Sequence, residues 1–229
     1  MLIFSKSSIT PCSSSQNWKI RTLAPEDLDW RGDEPLSREF GDVYFSSSSG
    51  IEESRHVFLR GNGLTEAWQG RDSFSIGELG FGSGLNFLLC AKTFLEEAHS
   101  AKRLHYFSVE GFPFSRSSLK RALSPWQELG TLREELLREY PIAVPGFHRL
   151  ELAESRICLT LAFGPVLEIL RAYRGVVDAW FLDGFSPQKN PEMWSAEVLD
   201  EIARRSKRGT TLSTFSAAGS LRRGLEAAG

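Results

Sequence analysis

The sequence predicts an α/β fold built on a doubly wound sheet, and three observations support this prediction. Segments of strand character alternate with segments of helical periodicity through the middle and end of the chain. Val176–Leu182 is an almost continuous apolar run, which is typical of a strand buried on both faces of a parallel sheet. The strand-like Phe74–Leu79 leads into the glycine-rich Gly80–Gly84 and then into a helical pattern. Ligands of such sheets bind at the carboxyl ends of the strands, which makes the residues after each strand the candidates for a site.

The predicted elements follow one another in order from Ser73 onward. Leu85, Leu88 and Leu89 recur at helical spacing after the glycines, and Pro141 ends a later helix. We predict strands at Phe74–Leu79, Leu104–Val109, Phe147–Leu152, Ile157–Ala162, Val176–Leu182 and Gly209–Phe215. The third and fourth of these strands are expected to form a hairpin. We predict helices at Leu85–Leu95, Ser117–Leu129, Leu132–Tyr140, Val166–Tyr173, Ser195–Arg205 and Ala217–Ala228.

The chain divides into three predicted parts. Residues 1–17 are rich in serine and carry no periodicity, and we expect a disordered tail there. Residues 18–72 contain several prolines and glycines and an apolar stretch at Val43–Phe45, and we expect an N-terminal extension that packs on the core. Residues 73–229 form the predicted ligand-binding core.

Composition restricts the possible functions. The chain has 229 residues and a net charge of −2, which suits one domain and excludes a globally basic nucleic-acid-binding surface. A nucleic-acid partner would need a local patch, for which Arg204–Arg208 and Arg222–Arg223 are the candidates. No apolar run approaches the roughly 20 residues that span a bilayer, and no signal-peptide core is present, so we expect a cytoplasmic protein without membrane contact.

Cysteine and histidine usage argues against a metal site or a disulfide framework. Cys12, Cys90 and Cys158 are odd in number and far apart, and we expect the last two to be buried thiols. The histidines, which show no spacing suited to a metal, are His56, His99, His105 and His148.

The glycine-rich loop predicts a cationic ligand. Its glycines follow a G-x-G-x-G spacing, which differs from the G-x-G-x-x-G of dinucleotide sites, and Glu78 precedes it. A carboxylate there would repel a pyrophosphate but suits a cationic α-amino group such as that of S-adenosyl-L-methionine. A glycine-rich turn that binds no ligand is the alternative.

Two further carboxylates follow predicted strands. Glu110 ends the second core strand, where an acidic residue accepts hydrogen bonds from ribose hydroxyls in nucleoside-binding α/β folds. Asp183 emerges from the apolar Val176–Leu182 strand, where partial desolvation suits contact with a sulfonium or an amine. A solvated strand-end carboxylate and a capping aspartate are the alternative interpretations of these two residues.

At this point the sequence resembles a known family, the methyltransferase domain of the bifunctional enzymes that make 5-methylaminomethyl-2-thiouridine in bacterial tRNA. The likeness covers about residues 28–229. The segments that carry it are Ser37–Phe45, Glu52–Leu59, Gly77–Phe87, Asp178–Trp194 and Thr214–Leu225.

The resemblance implies the class I S-adenosyl-L-methionine-dependent methyltransferase fold, Rossmann-like and doubly wound, and it implies site residues. Glu78, Gly80, Gly82, Gly84 and Asn86 would bind the methionine part of the cofactor, and Glu110 the ribose. Tyr44 and Asp183 would face the reactive end, with Asp183 also counted among the cofactor-binding residues. The implied substrate is the aminomethyl group of a wobble uridine in tRNA, and no metal is required.

The sequence departs from the family pattern in two ways. Phe163–Gly164 is followed by Pro165 where family members carry an acidic residue beside the adenine. The chain also ends before the last two strands and the basic segment of the family fold, and the oxidase half of the bifunctional enzyme is absent. The resemblance therefore implies methylation alone, with the missing segment or a separate oxidase as a possible partner.

Two other functions stay open from the sequence. An NAD-dependent oxidoreductase would use the same fold, although the glycine spacing and Glu78 argue against it. A protein that binds S-adenosyl-L-methionine but is catalytically silent is suggested by the absent strands.

Overall fold

The computed structural model describes residues 23, 28–45, 49–98, 102–216 and 219–228, and these form two sheets. A small antiparallel sheet has the order β1-β2-β3, formed by Leu28–Arg31, Glu34–Ser37 and Asp42–Val43. The strands of the large sheet are β4 Ser73–Leu79, β5 Arg103–Glu110, β6 Gly146–Leu152, β7 Ile157–Phe163, β8 Val177–Leu182 and β9 Ser206–Thr214. The predicted tail, residues 1–17, lies outside the described residues.

The helices cover both faces of the large sheet. They are α1 Gly50–Ser54, α2 Leu64–Ala67, α3 Leu85–Glu97, α4 Arg116–Ala122, α5 Gly130–Glu139, α6 Val166–Ala172, α7 Ala196–Arg204 and α8 Gly219–Ala228. A π-helical turn at Arg55–Arg60 continues α1, and 3-10 turns occur at Gln127–Leu129 and Pro191–Trp194. No helix in the described part of the chain is long and apolar enough to cross a membrane.

The large sheet has the strand order β6-β7-β5-β4-β8-β9. Every neighbouring pair is parallel except β6 with β7, which form the antiparallel hairpin that the sequence predicts. The order reverses direction at β4, with β5 on one side and β8 on the other, and this is the switch point at which such sheets bind ligands. The predicted doubly wound α/β fold is therefore confirmed.

Two apolar cores enclose this sheet. One face packs against α3, α5 and the segment from α1 to α2, with Phe58, Trp68 and Phe94 fully buried. The other face packs against α6, α7 and α8, with Trp180 and Val198 fully buried. β8 is buried along its whole length, as its almost continuous apolar sequence predicts. The described part of residues 18–72 thus lies against the first core.

Two local predictions were wrong in their bounds, and one small sheet was missed. The helix predicted at Ser117–Leu129 ends at Ala122, because Pro125 supplies no N–H and disfavours helical geometry at the residue before it. The strand predicted at Gly209–Phe215 begins at Ser206, since Ser206 pairs with Val177 and a bulge then separates this pair from the regular pairing that starts at Thr211. The strands β1–β3 are not predicted, because they are too short to carry a period.

The contact between Gly77 and Trp180 leads to a stability prediction. A Cβ on Gly77 would lie 2.4 Å from Trp180 Cζ3, and the indole cannot move aside easily because its Nε1 donates to Ser206 Oγ at 3.0 Å. We expect Gly77→Ala to lower the free energy of unfolding by about 2 kcal/mol through overpacking. Urea unfolding would measure this, with Ser73→Ala at an exposed position of the same strand as the control. Equal midpoints for the two variants would contradict the prediction.

Candidate active site

The carboxyl ends of β4, β5 and β8 surround one large cavity. Its volume is about 1140 Å³, and its wall includes Gly80, Gly82, Glu110 and Asp183 from the loops that follow these strands. This volume exceeds the range of roughly 300–1,000 Å³ that accommodates a single drug-sized ligand. The cavity therefore has room for a cofactor together with part of a substrate.

The wall of this cavity carries negative charge alone. Its charged side chains among the described residues are all carboxylates, and no lysine, arginine or histidine lines it there: Glu53, Glu110, Glu168, Asp183 and Glu192. Such a wall repels phosphates and attracts cations. This feature argues against a dinucleotide pyrophosphate and favours a ligand that carries a sulfonium or an ammonium group.

The glycine loop fits closely beneath the cavity. Gly80 and Gly82 have φ values of 81° and 52°, in the left-handed region that favours glycine. The Gly80 N–H donates to Val109 O at 2.9 Å, which fixes the loop to β5. Gly84 does not line the cavity but precedes α3, where an added Cβ would lie 2.6 Å from the ring of Phe81.

Glu110 connects the glycine loop to the end of β5. Its Oε2 accepts from the Gly82 N–H at 2.7 Å, and its Oε1 accepts from the Phe112 N–H at 2.7 Å. Burial raises the pKa of Glu110, while backbone hydrogen bonds from Phe112, Gly82 and Gly111 oppose the rise. Each oxygen keeps a second lone pair, so the carboxylate can still accept from a ligand hydroxyl.

Asn86 links two carboxylates at the base of the cavity. Its Nδ2 donates to Asp183 Oδ2 at 2.7 Å and to Glu78 Oε1 at 3.1 Å. Glu78 is fully buried and does not line the cavity, because Asn86 lies between them; its other oxygen accepts from Ser108 Oγ at 2.7 Å. Burial, the largest cause, holds the pKa of Glu78 well above its usual range, and the nearby Asp183 carboxylate raises it further.

Asp183 is the carboxylate at the end of β8, and it is partly buried. Its Oδ1 accepts from the Gly184 N–H at 2.8 Å, and its other oxygen accepts from Asn86. Desolvation raises the pKa of Asp183 to about 6, although both hydrogen bonds favour the ionised form. A carboxylate with a pKa near neutrality suits a general base.

Aromatic rings cover the side of the cavity next to Asp183. Phe40 stacks on Phe185 with ring centroids 4.5 Å apart, and Phe112 meets the edge of Phe40 at 5.6 Å. Tyr44 lies edge-on to Phe185 at 5.1 Å and to Phe114 at 4.8 Å. The segment that carries Phe40 and Tyr44 is joined to the loop after β8 by Lys189, which contacts Asp42 Oδ2 at 2.9 Å.

Comparisons with known proteins agree with this site. Residues 127–229 match a family model described as S-adenosyl-L-methionine-dependent methyltransferase. The chain is 49% identical over 212 residues to the tRNA 5-methylaminomethyl-2-thiouridine biosynthesis bifunctional protein MnmC of Aeromonas salmonicida (strain A449), covering 88% of this chain and 32% of that protein. The part of the chain from residue 127 to residue 229 is therefore assigned to the S-adenosyl-L-methionine-dependent methyltransferase family.

Two further comparisons extend this result to another bacterium and to a solved structure. The protein of the same name from Methylobacillus flagellatus is 49% identical to this chain over 212 residues, covering 92% of this chain and 33% of the relative. The crystal structure of MNMC2 from Aquifex aeolicus superposes with a TM-score of 0.69 at 26% identity, over 89% of this chain and 64% of that one. The chain thus spans about a third of the length of the curated relatives that it matches.

The predicted site residues of the chain fall into two groups. Those that line the cavity are Tyr44, Gly80, Gly82, Asn86, Glu110 and Asp183. Glu78 and Gly84 do not line it, because Glu78 lies behind Asn86 and Gly84 lies beneath Phe81. Pro165 forms part of the wall beside Phe163 and Gly164, and the acidic side chain on that wall is Glu168, in the first turn of α6.

The sequence does not single out several residues of the cavity. Glu53 and Ser54 come from α1, and Glu192 comes from the 3-10 turn that follows the loop after β8. Phe40 and Phe185 occur only as members of the segments that carry the family likeness. The one signal available for all of them was that likeness, since none follows a predicted strand directly except Phe185.

The predicted basic RNA patch at Arg204–Arg208 lies away from the cavity. This segment leads into and begins β9, and so lies at the end of the sheet opposite the carboxyl ends of the parallel strands. Arg204 and Arg205 contact Glu201, and Lys207 contacts the buried Asp178 at 2.6 Å. Arg222 pairs with Glu226 on α8. Arg204, Arg205 and Lys207 are therefore engaged in ion pairs within the chain, and contact of this cluster with RNA stays a prediction.

No metal site was identified among the residues that the structure describes: they contain no group of three or more histidine, cysteine, aspartate or glutamate side chains that could hold an ion. Cys90 and Cys158 are free and buried, as predicted. Cys12 and His99 lie outside the described residues.

The fit of Gly82 beside Tyr44 gives a prediction for cofactor binding. A Cβ on Gly82 would lie 3.1 Å from Tyr44 Cδ1, and the φ of 52° strains any other residue. We expect Gly82→Ala to raise the Kd for S-adenosyl-L-methionine about tenfold, because strain of roughly 1–2 kcal/mol displaces the loop. Isothermal titration calorimetry would measure it. Gly63→Ala, which has a similar φ but open space around it, is the matched control, and an equal loss there would contradict a specific effect at the site.

Proposed function

We propose that this chain catalyses S-adenosyl-L-methionine-dependent N-methylation of 5-aminomethyl-(2-thio)uridine at the wobble position of tRNA, giving the 5-methylaminomethyl form. The observation that carries the proposal is the cavity at the switch point, which is lined by carboxylates and aromatic rings and by no basic side chain among the described residues. Relatives of about three times this length are named for biosynthesis of that nucleoside, and the proposed substrate is inferred from their name.

The cofactor would be held by the glycine loop and the residues around it. Gly80 and Gly82 allow close approach of the backbone, and Glu110 accepts hydrogen bonds from the ribose hydroxyls. Asn86 lines the same cavity, and its side chain is held there by the hydrogen bond that it donates to the buried Glu78. Gly84 contributes by allowing α3 to begin against Phe81.

The residues at the reactive end would act on the substrate amine. Bound S-adenosyl-L-methionine would supply the methyl group: the lone pair of the amine forms the new N–C bond, and the electron pair of the broken C–S bond stays on sulfur. The amine must be neutral to attack, because a protonated nitrogen has no lone pair. Asp183 accepts a hydrogen bond from the amine, orients it and takes the proton that the product ammonium releases. Tyr44 packs beside this position and limits the direction of approach.

The substrate would enter past the aromatic wall. A pyrimidine ring offers a flat face, and base–aromatic stacking contributes about 1–3 kcal/mol per base in single-stranded nucleic acid. Phe40 and Phe185 are half-buried at this wall, within the same cavity as Asp183. A separate oxidase that produces the primary amine on the same tRNA, or a further segment that completes the site, is the expected partner. We place the reaction in the cytoplasm, where tRNA is modified.

A methyl-transfer assay tests the proposal. The purified chain is incubated with methyl-labelled S-adenosyl-L-methionine and with tRNA that carries either 5-aminomethyluridine or unmodified uridine at the wobble position. We expect label in the modified tRNA alone, and nucleoside analysis should identify 5-methylaminomethyluridine. Binding of S-adenosyl-L-methionine without transfer to either tRNA would favour the catalytically silent alternative. A thermal shift with NAD that exceeds the shift with S-adenosyl-L-methionine would favour an oxidoreductase and contradict the proposal.

A further inference from the structure

Ser54 is a buried hydroxyl at the wall of the cavity that the chemistry above does not use. It is the last residue of α1, lies on the N-terminal side of the core in sequence, and is 2% exposed. Its Oγ–H donates to Oδ1 of Asn86, which is 32 residues away along the chain. Ser54 is thereby one hydrogen bond from Asn86 and two from Asp183.

The orientation of the Asn86 amide follows from its partners. Its NH₂ group donates to Oδ2 of Asp183, whose ionised carboxylate can only accept, and to Oε1 of Glu78. The amide oxygen therefore points the other way, toward the Ser54 hydroxyl, which donates to it. Without that donor, the amide oxygen of Asn86, a residue that is 9% exposed, would lose this hydrogen bond, and the amide would be free to rotate toward another donor.

We infer that Ser54 is a positioning residue: through Asn86 it holds the carboxylate of Asp183 in the orientation that accepts the proton of the substrate amine. The inference rests on the proposed function for the role of Asp183, but the contact chain from Ser54 to Asp183 does not. It also gives the segment before the glycine loop a part in the chemistry, because α1 packs against α3, which carries Asn86.

Several titratable groups surround Asp183 and could contribute to a pH titration of its carboxyl group. Glu78 on β4 faces it through Asn86, and Tyr106 on β5 lies beside Glu78. The other titratable groups on the cavity wall are Tyr44, Glu53, Glu110, Glu168 and Glu192. The hydrogen bond from Asn86 lowers the pKa of Asp183, against the rise to about 6 that burial causes. Loosening Asn86 therefore raises that pKa further.

An NMR titration of the ligand-free chain measures this effect without any need for activity. The chain is labelled with ¹³Cγ-aspartate, and the Asp183 resonance is assigned from its loss in Asp183→Asn. Ser54→Ala removes the hydroxyl donor, and Ser54→Cys replaces it with a thiol, a weaker donor of similar size. Ser54→Thr keeps a hydroxyl donor. Thr93→Val is the matched control, since Thr93 is a buried hydroxyl of α3 that bonds to Leu89 O at 2.9 Å and does not line the cavity.

We expect the Asp183 midpoint in Ser54→Ala to move upward by about half a pH unit or more, with Ser54→Cys between and Ser54→Thr near the parent value. Turnover of methyl transfer should fall roughly tenfold in Ser54→Ala, while KM for S-adenosyl-L-methionine changes less than about threefold. Should Ser54→Ala fail to fold, Ser54→Cys carries the test. Thr93→Val should leave both the midpoint and turnover unchanged.

An unchanged Asp183 midpoint in a folded Ser54→Ala or Ser54→Cys chain would overturn the inference. So would an equal shift in Thr93→Val, because the effect would then report general loosening of α3. A shifted midpoint in a chain whose parent form transfers no methyl group would support the contact chain and reject the proposed function, so the two failures are distinguishable.

Discussion

Replacing Asp183 with asparagine is expected to lower the turnover of methyl transfer about a thousandfold, while binding of S-adenosyl-L-methionine is largely retained. The general-base contribution of one positioned side chain is typically a factor of about 10²–10⁴. Asparagine keeps the size of the side chain and an oxygen that can accept the Gly184 N–H. It cannot take a proton from the product ammonium. Single-turnover kinetics with the modified tRNA would measure the change.

The pH dependence of turnover in the parent chain and in Asp183→Asn gives a second test of this prediction. The carboxyl group of Asp183 has a pKa raised to about 6 by burial, so protonation removes the base as the pH falls through 6. The parent chain should therefore lose turnover on the acidic side with a midpoint near that value. The asparagine variant should show no such limb, because it has no group to protonate there. A retained acidic limb in the variant would assign the titration to another residue.

Stability provides an independent check on Asp183. Its folded-state pKa of about 6 lies above the ordinary value of 3.8, so the folded chain binds more protons than the unfolded chain between these two values. The ligand-free parent should therefore lose stability as the pH rises through this window. Asp183→Asn lacks that loss, and its thermal midpoint at pH 7 should not fall below the parent value. Asp200→Asn, at an exposed position of α7, is the control for both activity and stability.

The sequence predicted the parts of the fold that carry a period. Apolar residues recur at helical spacing in α3, α6 and α7, and strands such as β4, β7 and β8 are runs of apolar or alternating residues. β1–β3 hold between two and four residues each, too few to distinguish a strand from a loop. Pro125 lies within a pattern of leucines, and that pattern predicts a longer helix than the proline allows.

The site was predicted where chemistry follows a strand directly, and less well where it depends on packing. Glu110 and Asp183 end parallel neighbours of β4, and this topology alone brings them to one cavity. Glu78 lies inside β4 rather than after it, and the sequence cannot tell that Asn86 covers it. Ser54, Glu53 and Glu168 reach the cavity only through the packing of short helices, which has no signature along the chain.

A second large effect is expected at Glu110, where we predict that Glu110→Gln raises the Kd for S-adenosyl-L-methionine about a hundredfold. The carboxylate accepts from two backbone N–H groups, those of Gly82 and Phe112, both at 2.7 Å. Glutamine has one acceptor oxygen, and its NH₂ group would face whichever N–H remains. The loop must then shift, and the variant also loses a charged acceptor for the ribose. Hydrogen bonds to charged groups contribute roughly 1.5–3 kcal/mol each, and a hundredfold change equals about 2.7 kcal/mol.

The cavity charge must be separated from these specific contacts, and Glu192→Gln does this. Glu192 lines the same cavity but is exposed. Its substitution by glutamine removes one negative charge and leaves the contacts of the glycine loop unchanged. Because exposed charges are screened by salt, we expect its Kd to rise by no more than about threefold. Calorimetry at two salt concentrations compares the two variants. If both weaken binding equally, the cavity attracts the cofactor by charge alone. A large effect confined to Glu110 means that the carboxylate binds by holding the loop and the ribose in place.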